Sequence, residues 1–210
     1  MAHVTAAERR PQLIAAAIEL MAREGVAAGS TRAIAAELGV AQATVHYTFG
    51  TKADLYRAVL ESLTEGLIAE VQEGVRNATS LEEALRATAE VFWVDMCERP
   101  ELNLLWFELI TFAVRRPDLR HVVQKYQQGI TDIAITALVE TGRRTGVEYA
   151  VPPAELTRFL LAGLDGLCMG LMMETGGDAP GPETRRALDQ LVAATIGLAY
   201  GERPTPAVAV

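Results

Sequence analysis

Residues 30–52 read STRAIAAELGVAQATVHYTFGTK, and their punctuation predicts two short helices joined by a tight turn. Ser30 suits an N-cap for a helix over 31–38, because its hydroxyl can accept from an amide that has no partner inside the helix. Gly39 stops that helix, and a second follows over about 41–49. Ile34, Ala35 and Leu38 form one apolar face on the first helix, while Val45 and Phe49, one turn apart, form the inward face of the second. That leaves Gln42, Ala43, Thr44, His46, Tyr47 and Thr48 pointing outward, with no carboxylate among them. Two helices so joined are a helix-turn-helix, whose second helix is about the width of a DNA major groove. A polyanion meets no repulsion on such a face.

Working outward, apolar residues at 13, 16, 17, 20 and 21 follow the helical period, Gly25 stands where a left-handed cap would end the helix, and Pro11 fits its first turn with 8–10 as an entry segment. On the other side, Gly50 and Thr51 break the chain and cap a long helix to about Val75, with apolar positions 56, 59, 60, 63 and 67. The same period recurs through 81–92, 102–114, 119–137, 156–171 and 188–199, punctuated by Pro100, Pro117, a loop over 142–153 and the Pro180-Gly181-Pro182 stretch. Only 147–151 alternates with period two, and it has no partner run to make a sheet. The expectation is an all-α chain of about nine helices. A helix-turn-helix domain over 1–52 precedes a larger helical domain over 53–202 and a frayed tail over 203–210.

Composition narrows the function classes. The 210 residues are half apolar and carry a net charge of -8, which excludes intrinsic disorder and a uniformly basic nucleic-acid coat. The charge is uneven: residues 1–52 hold five basic and four acidic groups, +1, and the rest hold fourteen and twenty-three, -9. Cys97 and Cys168 are too few for a disulfide scaffold and have no metal-ligand spacing, so no metal and no cofactor are expected. The start lacks a leader-like apolar run, and the most apolar stretch, 159–173, is fifteen residues with Asp165 inside it, so a cytoplasmic protein with no membrane contact is expected.

The first fifty-five or so residues resemble the DNA-binding domain of TetR-family transcriptional regulators, through Thr31-Arg32-Ala33-Ile34-Ala35, Gly39-Val40, Thr44-Val45, Phe49 and Lys52. The resemblance implies that Gln42, Ala43 and Thr44 contact bases, Thr31 and Arg32 contact backbone or bases, and Lys52 contacts a phosphate. Two departures stand out: Ala41 replaces the usual Ser cap of the recognition helix, and His46-Tyr47-Thr48 replaces the commoner Tyr-x-Tyr or Tyr-x-His. By the same resemblance the larger domain binds an effector and dimerises. The partners expected are a palindromic double-stranded operator, a second copy of the chain and a largely apolar small molecule that releases the repressor.

Residues suited to line an effector pocket are Trp93, Met96, Asn103, Trp106, Phe107, Tyr126, Phe159 and Met169, with Glu108, Thr111 or Asp165 as further polar groups; each is more readily explained by core packing. Gly163, Gly166 and Gly170 in one helix each cost about 0.8 to 1 kcal/mol against Ala, which close approach of another backbone would offset. Together with Leu188, Leu191, Val192, Thr195 and Ile196 they form the expected dimer surface, a four-helix bundle across a two-fold axis, with packing inside one chain as the alternative. Two other functions compete. A helical adaptor that binds only protein leaves the 42–52 face without a purpose, and an enzyme would have to use Cys97 or Cys168 with His121, on apolar stretches that favour inert thiols.

Overall fold

The structure is a computed structural model and describes residues 6–175 and 181–201. Among them are nine α-helices and no strand: α1 Ala6–Glu24, α2 Thr31–Glu37, α3 Gln42–Phe49, α4 Lys52–Val75, α5 Leu81–Glu98, α6 Pro100–Val114, α7 Pro117–Thr145, α8 Pro153–Thr175 and α9 Pro182–Tyr200. A 3-10 turn over Val26–Ala28, which the periodicity does not signal, joins α1 to α2. The expected tail over 203–210 lies outside the described residues.

Two boundaries differ from expectation for local reasons. α1 starts at Ala6, so Pro11 sits inside it beyond the first turn; Pro11 is exposed, so water can satisfy the carbonyl that its missing N–H leaves without a partner. α7 runs through Gly142 to Thr145 because the Tyr149 ring lies against that glycine, 3.1 Å from where a Cβ would stand, and the Tyr149 hydroxyl donates to the Leu138 carbonyl at 2.8 Å. Gly25 has φ 83° but ψ 162°, so it ends α1 with positive φ outside the left-handed helical well.

The chain divides into two compact units, one of residues up to Leu67 with Glu101–Tyr126, the other of Ile68–Pro100 with residues from Gln127 onward. In the first, Leu13, Ala17, Leu20 and Met21 of α1, Ile34 and Ala35 of α2, and Val45 and Phe49 of α3 form one buried cluster with Leu55, Tyr56 and Val59 of α4 and Leu105, Leu109 and Ala113 of α6. Complete burial of a Leu or Val is worth about 1.5–3 kcal/mol, so this shared core holds the two short helices, too short to be stable alone. Tyr56 is fixed twice more: its hydroxyl donates to the Val26 carbonyl at 3.1 Å, and its ring meets Phe112 edge-on at 5.1 Å.

In the second unit α9 packs against both α8 and α5. A Cβ at Gly163 would stand 2.4 Å from a Leu191 methyl, so the glycine admits the α9 side chain. The Ala150 amide donates to the Ala199 carbonyl at 2.8 Å, tying the loop before α8 to the end of α9. By length and composition alone Pro153–Glu174 could cross a membrane; α9 gives its apolar side another destination.

Candidate nucleic-acid interface

Ser30 caps α2 as its position predicts, its side chain accepting from the Ala33 amide at 3.1 Å. Gly39 at φ 65° and Gly50 at φ 75° bracket α3, turning the chain through backbone that a side chain would strain. Between them Ala41 holds the N-cap position with no side-chain bond. Thr51 caps α4 by accepting from the Asp54 amide at 3.1 Å, while its hydroxyl donates to the Asp54 carboxylate at 2.5 Å. That hydroxyl, with the nearby Arg57 guanidinium, holds the Asp54 carboxyl below its ordinary value. Arg23 Nη2 of α1 donates to both carboxylate oxygens of Glu37 of α2, 3.2 Å to each, and straps the helices on the surface.

Val45 and Phe49 are buried, which turns the opposite side of α3 to solvent. Gln42, Ala43 and His46 are exposed, and Tyr47 is 87% exposed. Thr44 and Thr48 are half-buried, and the Thr48 hydroxyl is spent on the Thr44 carbonyl at 2.8 Å, so it faces its own helix. Across the turn, Gln42 Nε2 donates to Thr31 Oγ1 at 3.1 Å, and His46 Nε2 lies 3.3 Å from both of those atoms. Thus three of the expected residues form one polar cluster linking α2 to α3. Arg32 is exposed, and the Lys52 ammonium lies 5.1 Å from the centre of the Tyr56 ring. A cation the sequence reading passed over is Arg10, whose guanidinium sits 4.9 Å over the Phe49 ring at the end of α3. Its only sequence signal is its place one turn before the first buried residue of α1.

The expected pocket residues fall in both units. Asn103, Trp106 and Phe107 belong to the first, where Trp106 packs on the shared core. Trp93, Met96, Phe159 and Met169 belong to the second. Met96 is buried there, Trp93 lies under the Arg185 guanidinium at 5.2 Å, and Phe159 is 42% exposed on the outside of α8. The Tyr126 side chain lies outside the described residues. Glu108, expected to orient a ligand, instead accepts from the Val26 amide at 2.9 Å, and Thr111 donates to the carbonyls of its own helix.

The expected dimer residues also separate. Leu188, Val192 and Thr195 are buried within the chain and so cannot form its surface: this stripe of α9 faces inward. Leu191 and Ile196 are half-buried, with Leu191 against Gly163. Gly166 and Gly170 face open space, on the same side of α8 as exposed Phe159, Ala162 and Met173.

Burial pushes the Cys168 thiol up to about 12 and the Cys97 thiol above its ordinary value, the wrong direction for a nucleophile. No group of three or more metal-ligating side chains occurs among the described residues.

Two family profiles cover most of the chain. The one described as bacterial regulatory proteins, tetR family, matches residues 13–59, and the one described as tetracyclin repressor-like, C-terminal domain, matches residues 76–194. The chain is 29% identical over 198 residues to the HTH-type nicotine-responsive transcriptional repressor HdnoR of Paenarthrobacter nicotinovorans, covering 92% of this chain and 96% of that one. Its fold is similar to the multidrug binding protein EbrR complexed with ethidium, at a TM-score of 0.64 and 30% identity over 88% of this chain and 98% of that one. It is similar too to a TetR-family regulator from Mesorhizobium loti, at a TM-score of 0.77 and 21% identity over 93% and 98%. With the helix-turn-helix core, the exposed α3 face and both family profiles in agreement, the chain belongs to the TetR family of bacterial transcriptional regulators.

Proposed function

We propose that this chain is a ligand-responsive repressor that holds a palindromic operator as a homodimer and releases it when a small, largely apolar effector binds the helices after residue 52. The observation that carries the reading is the α3 surface: Gln42, Ala43, His46 and Tyr47 are open to solvent on a helix whose other side is anchored in the core. On this reading Gln42, Ala43 and Thr44 meet base edges, Thr31 and Arg32 approach from the start of α2, Tyr47 and His46 flank them, and Lys52 meets a phosphate. Thr48, one turn after Thr44, has its hydroxyl already bonded to the Thr44 carbonyl.

One recognition helix reads few base pairs, so two copies related by a two-fold axis are needed, with half-sites about one helical turn apart or a multiple of it. The exposed stripe of Phe159, Ala162, Gly166 and Met173 on α8 favours that helix as the meeting surface. The nicotine response of HdnoR and the ethidium held by EbrR favour a small organic effector. Release is a population shift: turning a 99:1 preference into 1:99 takes about 5.5 kcal/mol of differential affinity. A repressor of this kind works in the cytoplasm.

The test is selection of bound duplexes from a random pool, with and without a metabolite extract. Enrichment of a palindrome that the extract disperses supports the reading. Retention of no duplex at low salt overturns it and favours a protein-binding adaptor.

A further inference from the structure

Gln42 has an amide with two N–H donors and one carbonyl acceptor, and which end faces the groove decides which base it selects. Its Nε2 lies 3.1 Å from Thr31 Oγ1 and 3.3 Å from His46 Nε2, so both N–H bonds have partners on the protein. Thr31 Oγ1 and His46 Nε2 are themselves 3.3 Å apart, so the two acceptors of the amide stand side by side. The two amide bonds are consistent when the His46 ring proton sits on Nδ1, which leaves the single Nε2 lone pair to accept from Gln42. Gln42 and His46 are one turn apart on α3, whereas Thr31 comes from the first turn of α2, so the amide is fixed by two helices at once. The Gln42 oxygen, Oε1, has no part in the cluster.

We propose that Thr31 and His46 are positioning residues that hold Gln42 as an acceptor-only reader, so that it selects a base donating in the major groove, cytosine through N4 or adenine through N6, against guanine and thymine. This rests on the operator-binding reading above. Guanine offers only N7 and O6 there, and thymine only O4 and a methyl, none of which can donate to Oε1. The two-bond contact that glutamine often makes with adenine needs an outward N–H as well, and here that N–H is engaged. Gln42 therefore makes one bond to a donor and treats cytosine and adenine nearly alike. Fixing the amide before DNA arrives also lowers the ordering cost of a side chain with three rotatable bonds.

The test measures binding of the full-length protein to duplexes carrying each of the four bases at every half-site position, taken from the operator that selection returns. For the unmodified protein one position prefers cytosine or adenine over guanine and thymine, on the order of tenfold. Thr31→Val and His46→Ala each free the amide to rotate, so guanine rises to within a few-fold of cytosine at that position. Overall affinity falls with both variants, since both residues also lie on the DNA-facing surface, so the readout is the ratio of guanine to cytosine at that one position. Gln42→Glu is acceptor-only by its own chemistry. It binds more weakly overall but keeps the preference, and adding Thr31→Val to it leaves that preference in place. The proposal is overturned if the position Gln42→Ala relaxes prefers guanine or thymine, or if Thr31→Val and His46→Ala, folded by circular dichroism, keep the unmodified preference. If the unmodified protein binds no duplex, the operator-binding reading falls first and this one with it.

Discussion

Lys52 shows how a single side chain gains a role from its setting. Its ammonium is held near the Tyr56 ring, whose hydroxyl is anchored to Val26, so the charge sits at the start of α4 beside the α3 surface. Lys52→Ala is expected to weaken binding to every sequence alike and to lower the slope of log affinity against log salt by about 1. A changed sequence preference with an unaltered slope would contradict a phosphate role. The cysteines give a second residue-level expectation, since only the thiolate is nucleophilic. With Cys168 pushed up to about 12 and buried, iodoacetamide at pH 8 should label Cys97 first and Cys168 only after unfolding; peptide mass mapping would read the order. Sequence spacing exposes part of this scale only. Gln42 and His46 stand at i, i+4 and are plainly neighbours, but nothing in the spacing puts Thr31 against them, because the angle between α2 and α3 is set by core packing.

At the scale of elements, the caps and turns were legible because they are local. Ser30, Gly39, Gly50 and Thr51 do in the structure what their chemistry requires within a few residues of chain. Ser30→Ala is expected to cost about 1 kcal/mol, read as a lower urea midpoint with an unchanged slope. The contacts of α6 were not legible. Its apolar period announces a helix but not that Leu105 and Leu109 complete the core under α2 and α3, nor that Glu108 serves a backbone amide 82 residues away. Glu108→Ala would leave the Val26 amide without its partner, at a cost of about 1–3 kcal/mol, while Glu108→Gln keeps an acceptor and most of the stability. Thermal melts of the two variants would separate the bond from the charge. α9 failed for a related reason: its apolar stripe is clear, but periodicity does not say whether the stripe meets its own chain or a second copy, and Leu188, Val192 and Thr195 proved to be inside.

For the molecule as a whole, Asp165 links stability to pH. Desolvation on α8 raises its carboxyl above the ordinary value of 3.8, so folding takes up a proton between the unfolded and folded values, and stability falls as pH rises through that window. Asp165→Asn removes this loss. The variant should melt higher than the unmodified protein at pH 7, and the two curves should converge below pH 3.8, where both states hold the proton. An equal offset at every pH would point to a packing effect. The Val26 backbone carries a different consequence. Its N–H is taken by Glu108 of α6 and its carbonyl by Tyr56 of α4, so one residue is moored from two sides. Hydrogen bonds weaken steeply with distance and angle, and a displacement of α6 by an ångström or so registers there as a bond kept or broken rather than as graded slack. The turn between α1 and α2 is thereby tied at one residue to both α4 and α6, and the two groove-facing helices that follow it share that anchorage.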